Sequence, residues 1–239
     1  TYSFSFFLFK TFNFTFSTKN DSSSFFFGRM VFVGSSDVVK RKFIESSIQL
    51  IKRKKTVSEL EEKKLRYGLE GFYNLATKTI VLLILAIILD LIPEFLLLTA
   101  IYSTLRMYGF GIHMKTSLQC WFTTVPIYIG GCLLIKYLVF PDLFNYVIWI
   151  FGFFSFLLFA PADTPARPLI RKKKRIRAKV LAMVIFVCCF VLFLFTSNAI
   201  LSNTIVYAVI IESISINPLT YKLFHTSFNN YKKYPEFSV

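Results

Sequence analysis

Histidine is nearly absent from this chain: its 239 residues include only His113 and His225. Cysteine is almost as scarce, with Cys120, Cys132, Cys188 and Cys189, and no two are spaced Cys-x-x-Cys. A cysteine or histidine zinc cage therefore lacks ligands, and no metal or organic cofactor is expected. Vicinal Cys188 and Cys189 make a poor disulfide pair and read as apolar filler, as does Cys132. Acidic charge is short too: 13 aspartates and glutamates face 28 lysines and arginines, for a net charge of +15. Above all, the chain lacks evenly spread charge. Its cations come in blocks between long apolar runs, a layout that argues against a soluble domain. No nucleic-acid-binding motif accompanies those blocks, so no nucleic-acid partner is expected. They are read instead as charge facing membrane lipid.

What is present is apolar material, 55% of the residues, with a mean hydropathy of +0.58. Residues 1–35 are rich in Phe, Ser, Thr and Asn and do not form a signal peptide. They read as a disordered extension, or as translation from upstream of a start near Met30. N-terminal sequencing that found residues before Met30 would overturn the second reading. Residues 36–74 form a basic amphipathic region, with Ile44, Ile48 and Ile51 at helical spacing. Thr56 with Glu59, and Ser58 with Glu61, read as capping boxes for a second helix there. These helices are too charged to span and are expected on the cytoplasmic membrane surface.

The membrane domain is expected over 75–216. Its first apolar stretch, 79–105, is interrupted by Asp90-Leu91-Ile92-Pro93-Glu94. That interruption is either a kink in one spanning helix or the turn of a hairpin. Four further runs follow at about 118–139, 143–160, 178–196 and 198–216. Placing both basic blocks, 40–66 and 171–179, on the cytoplasmic side requires 79–105 to start and end inside. The hairpin satisfies this and the kinked span does not. Its legs, about 12 residues or roughly 18 Å each, are expected to be short, tilted or re-entrant against a hydrocarbon core of about 30 Å. The expected fold is all-α and polytopic, with six apolar segments. The basic loop 161–179, a tail at 217–239 and both termini are placed in the cytoplasm.

The most polar segment bounded by membrane runs is 106–120, with Arg106, His113 and Cys120 at intervals of seven. Cys with His is a minimal nucleophile and base. A free thiol is only a few per cent ionised at neutral pH, and a cation beside it raises that fraction. On one continuous helix, residues seven apart lie about 10.5 Å apart along the axis, whereas a working pair needs about 3–4 Å. The helix must therefore break between His113 and Cys120, and Gly109 and Gly111 permit unusual backbone just before. No third residue orienting His113 stands out; Asp90, Glu94, Ser117 and Gln119 are open. Asp90 and Glu94 read foremost as the hairpin turn. His225 reads as a solvated side chain of the tail. The bland alternative is a packed Cys120 in a non-enzymatic polytopic protein, a transporter or an assembly subunit.

Arg106, the run Gly109-Phe110-Gly111-Ile112-His113, and Cys120 resemble the signature of the accessory gene regulator protein B (AgrB) family. The Ala-Pro…Pro loop at 160–168 and the polybasic run after it are similar to that family too. The resemblance covers roughly 36–216. Family members commonly show Gly-Gly before the histidine, whereas here Phe110 and Ile112 interleave with the glycines. The resemblance implies a thiol endopeptidase of the bacterial cell membrane that acts in quorum sensing. Such a protein removes the C-terminal part of an AgrD-like propeptide and helps close the remainder into a cyclic thiolactone. On that analogy Cys120 is the nucleophile, His113 the base, and Arg106 and Gly111 support them. A homodimer is compatible with such a chain.

Overall fold

The computed structural model describes residues 38–53, 57–112, 114, 117–138, 140–165 and 168–234. Residues 1–35, Thr56, Lys115 and His113 lie outside the described residues. Among the described residues the regular structure is helical, and the loop segments include one isolated bridge between Phe110 and Ala162. The chain divides into two compact units, Thr1–Thr77 and Lys78–Val239.

In the first unit, α1 (38–53) buries Ile44 and Ile48, and Ser58 begins α2 (Glu59–Ile88). The expected capping box is formed. Glu61 N–H donates to Ser58 Oγ at 3.3 Å, and Ser58 N–H donates to Glu61 Oε2 at 3.0 Å. Lys40 pairs with Glu70 and Lys52 with Glu62, both at 2.7 Å. Ascending numbers in α1 thus meet descending numbers in α2, which makes an antiparallel hairpin.

The expected boundary between amphipathic region and membrane domain, at 74/75, falls inside α2, which runs unbroken for 30 residues. Gly68 and Gly71 only weaken a helix, by about 1 kcal/mol each, and no proline interrupts it. The chain does break at the acidic interruption. Asp90 takes φ +54, Asp90 N–H donates to Ile87 O at 3.2 Å, and Leu91 N–H donates to Ala86 O at 2.8 Å. This is a Schellman ending with Asp in the left-handed position and a fully buried Leu91 after it. The next helix, α3 (Ile92–Gly109), starts with Pro93 in its first turn, where no N–H is needed. The kinked single span is thereby excluded. The two legs, at 30 and 18 residues, are longer than the interruption alone suggests.

Next come α4 (Ser117–Val125), a π-helical turn (Pro126–Gly130) and α5 (Gly131–Tyr137), which together form one rod. Beyond it lie α6 (Asp142–Phe159), α7 (Lys172–Phe195) and α8 (Ala199–Ile216). Among the described residues, five helices are long and apolar enough to cross a membrane: Glu59–Ile88, Gln119–Tyr137, Asp142–Phe159, Lys172–Phe195 and Ala199–Ile216. Of the six expected segments, α3 is the one that falls outside this set.

The second unit is built around α8, which packs against α3, α5, α6, α7 and α9 (Pro218–Leu223). It carries Asn203, Thr204, Ser213 and Ser215 on buried positions, small polar residues that suit helix contacts inside a membrane. Asn203 and Tyr207 of this helix satisfy backbone that the rod leaves open. Asn203 Nδ2 donates to Leu138 O at 2.8 Å, past the end of α5, and Tyr207 OH donates to Ile127 O at 3.0 Å in the π turn. Without water, such carbonyls need a partner from the protein. Between α6 and α7, Trp149 is packed edge-on against Phe186 and Phe190.

Contacts also fix which helix ends lie together. One end of the unit gathers Gly111, Ala162 and Ser215; the other gathers Asp90 and Lys136, whose ammonium meets the Asp90 carboxylate at 3.2 Å. Successive helices therefore alternate in direction. Residues 217–234, expected as a tail, fold back: Tyr221 is buried and its hydroxyl donates to Ala162 O at 3.0 Å. His225 is exposed, in the turn after α9.

Candidate functional site

Helix α3 stops at Gly109, and α4 starts at Ser117. The break demanded by the His113–Cys120 spacing is present. It is made by two consecutive residues in the left-handed region, Phe110 at φ +66 and Gly111 at φ +79. An L side chain at Gly111 would be strained by its φ. Its Cβ would also lie 2.5 Å from Ser215 Oγ and against the Arg106 guanidinium.

The strip 109–112 is held from three directions. From the Ala160–Thr164 loop, Ala162 N–H donates to Gly109 O and Gly111 N–H donates to Ala162 O, both at 3.0 Å. From the end of α8, Ser215 O accepts from Ile112 N–H at 3.0 Å. From α3 itself, Arg106 reaches forward, and its Nη2 donates to Ile112 O. The carbonyl so held belongs to the residue immediately before His113.

Arg106 is anchored in turn. Its Nη1 donates to Ser215 Oγ at 2.6 Å and lies 3.5 Å from Glu212 Oε2. Glu212 is fully buried, and Ser215 Oγ also donates to its Oε2 at 3.0 Å. A buried carboxylate persists only with a partner, and a part-buried guanidinium gains from one. Each supplies the other here. Gly109 lets this carboxylate come close, because a Cβ there would strike Glu212 Oε1.

The loop opposite is equally fixed. Asp163, 1% exposed, accepts from Asn230 N–H at 2.7 Å, Tyr231 N–H at 2.9 Å and Leu169 N–H at 3.3 Å. One carboxylate thus ties the loop, the start of the basic run and the C-terminal segment together. Burial pushes the nearby Tyr221 phenol well above its usual range, an effect Arg106 opposes, and its hydroxyl stays a donor to Ala162 O.

Cys120 sits in the first turn of α4, half-buried, whereas Cys132 is fully buried. Lys78 of α2 points its ammonium at Cys120 Sγ, with Nζ 2.8 Å from the sulfur. Thr124 Oγ1, one turn on, lies 3.7 Å from the same atom. A thiolate there would gain a charge-assisted hydrogen bond. Asp90 and Glu94 stand at the far end of α3, roughly 22 Å or more along its axis from Gly109. Asp90 lies in the turn, as the sequence suggested, whereas Glu94 is in the first turn of α3 and buried.

Of the residues singled out from sequence, Arg106, Gly111 and the end of α3 come together, and Cys120 stands at the next helix start. Sequence reasoning missed Lys78, Asp163, Glu212 and Ser215. Glu212 carried a readable signal: it is the single charged residue in the apolar run 198–216, and such a residue inside a membrane marks a functional position by default. Lys78 reads only as a cation at a membrane edge. Among the described residues no cluster of His, Cys, Asp and Glu could hold a metal ion.

The family description Accessory gene regulator B matches residues 44–216. An AgrB-like protein of Clostridium acetobutylicum is 30% identical over 204 residues, covering 84% of this chain and 96% of the relative. One from Listeria innocua is 30% identical over 176 residues, or 72% and 84% of the two chains. Accessory gene regulator protein B of Staphylococcus carnosus is 29% identical over 157 residues, or 64% and 81%. No solved structure matches the chain.

Proposed function

The chain belongs to the accessory gene regulator B family and so to the accessory gene regulator quorum-sensing system, and on that premise we propose that it is a membrane cysteine endopeptidase acting on an AgrD-type propeptide. The observation that carries this reading is the Lys78 ammonium 2.8 Å from Cys120 Sγ, beside the break in the helix. A cysteine kept for packing needs no cation, and among the described residues no cation contacts Cys132.

In this reading Cys120 is the nucleophile and His113 the base. The sulfur attacks the carbonyl carbon of the scissile peptide, and His113 passes the thiol proton to the leaving amine as the C–N bond breaks. The C-terminal fragment departs and the rest stays on Cys120 as a thioester. A cysteine thiol within the bound peptide then attacks that carbonyl. Its proton returns through His113, the new thioester closes the ring, and the Cys120 thiol is regenerated. One thioester replaces another of similar energy, so a site sheltered from water suffices to favour exchange over hydrolysis. Lys78 stabilises the thiolate before attack. Arg106 and Gly111 position the strip that ends at His113, acting through Ile112 O and through backbone shape.

The positive-inside rule assigns the end of the bundle carrying Arg171–Lys179 to the cytoplasm, and with it both termini. The propeptide would then be met on the cytoplasmic side.

The test is co-expression with an AgrD-like propeptide from the same genome, read by mass spectrometry. Release of the C-terminal fragment by the wild type, and its loss in Cys120→Ala and His113→Ala at equal membrane levels, is the expected result. Cleavage that survives Cys120→Ala overturns the assignment.

A further inference from the structure

A groove of about 1020 Å³ opens between the 107–110 segment, the Pro168–Ile170 stretch and the first turns of α7. Cations and apolar groups are segregated along it. Arg171, Lys174 and Arg177 line one part, and Ala178 and Leu181 continue the same helix face. Residues three and four apart on a helix are surface neighbours, so these side chains form one stripe. Met107, Leu169 and Ile170 complete the apolar wall.

The three cations are uncommitted. Their neighbour Arg175 is used by the protein: its guanidinium stacks over the Tyr231 ring at 3.9 Å and donates to Leu169 O at 3.4 Å. By contrast, no described carboxylate pairs with Arg171, Lys174 or Arg177. The run Arg171–Lys179 holds seven cations, each costing about 2.5–3.5 kcal/mol at a membrane centre. It must therefore lie at the membrane edge, where α7 passes from charged to apolar sequence. From Arg171 to Leu181 the stripe rises about 15 Å, enough to cover a headgroup layer and the start of an acyl chain.

We propose that this groove binds an anionic membrane phospholipid, with its phosphate between Arg171, Lys174 and Arg177 and an acyl chain against Leu181 and Met107. Basic pockets between membrane helices are recognised by anionic headgroups. A soluble acidic peptide would match the cations but leave the apolar floor uncovered, whereas a lipid matches both in the order they occur. Tyr108 and Phe110 form part of the wall, so the lipid would rest against the strip that precedes His113. The inference needs only the membrane setting and does not depend on the peptidase chemistry.

The experiment uses full-length protein reconstituted in vesicles of equal parts phosphatidylcholine and phosphatidylglycerol. Lipid retained after detergent release is read by native mass spectrometry, with a melting curve for each variant. The wild type is expected to retain phosphatidylglycerol over phosphatidylcholine. Lys174→Gln/Arg177→Gln should lower retention roughly 25-fold, about fivefold for each cation. Lys172→Gln/Lys173→Gln removes the same charge outside the groove and should stay within about threefold of wild type, since screened surface charge contributes little. Leu181→Trp keeps every cation and fills the apolar floor, and it should also abolish retention. Equal loss in the two double variants would mean general surface attraction and would overturn the proposal. Unchanged retention in Leu181→Trp would overturn it as well. So would displacement of the lipid by polyglutamate at matching concentration, which would assign the groove to an acidic peptide.

Discussion

Replacing Gly111 by alanine tests the strip geometry most directly. The residue sits at φ +79, and an L residue in the left-handed region costs about 1–2 kcal/mol. The new Cβ would lie 2.5 Å from Ser215 Oγ, 3.1 Å from Ser215 O and against the Arg106 guanidinium. The Ser215 oxygens are held by α8, so Arg106 must yield. It then loses its bond to Ser215 Oγ or to Ile112 O, each a charged hydrogen bond of about 1.5–3 kcal/mol. Together these give roughly 3–5 kcal/mol, or a fall of order 10 °C in melting midpoint for a chain of this size. If the strip releases locally instead, the midpoint holds and propeptide cleavage is lost. Thermal unfolding in detergent and the co-expression assay read the two outcomes. Gly68→Ala is the control: nothing lies within 4 Å of its Cβ position, and alanine is favoured there by about 1 kcal/mol. A Gly111→Ala protein with wild-type melting and wild-type cleavage would refute the reasoning.

Three further outcomes follow from the same contacts. Lys78→Met removes the cation beside Cys120, so alkylation of Cys120 by a small electrophile should slow several-fold relative to the wild type; equal rates at Cys120 would remove Lys78 from the mechanism. Glu212→Gln leaves Arg106 without its carboxylate and should destabilise the protein by about 3 kcal/mol, with part of that recovered in Glu212→Gln/Arg106→Met; a melting curve for each variant decides this, and a double variant worse than the sum would contradict it. Asp163→Ala removes the acceptor for Asn230 and Tyr231, so limited proteolysis should cut near 230–234 well before the helices; unchanged protection there would mean the loop does not hold the C-terminal segment.

Some of this was legible in the linear chain because the cause is local. Lengths of apolar runs predict the rod 117–137 and helices α6 and α8 to within a few residues, whereas α7 reaches back through the basic run to Lys172. Ser58 with Glu61 announces a helix start, and Asp90 with Pro93 announces a helix end followed by a new start. The first leg was harder. The interruption marks where α2 ends, but nothing local marks its beginning within the apolar stretch, and the helix continues back to Glu59. The seven-residue spacing from His113 to Cys120 required a broken helix, and the break follows from the glycines beside it. The signature residues carried the family, which the match over residues 44–216 establishes.

The partners of those residues were decided only by the fold. Lys78 is 42 positions from Cys120, and Glu212 is 106 from Arg106. Periodicity reports which face of a helix is apolar, not which distant helix will meet it. A lone cation at a membrane edge and a lone carboxylate in an apolar run are each costly by themselves, and the sequence shows that cost. The packing of α8 against α3 determines where Glu212 is relieved, and the approach of α2 to the start of α4 gives Lys78 its thiol. Cys120 was nameable from the chain alone, while the ammonium beside it exists only once the helices assemble.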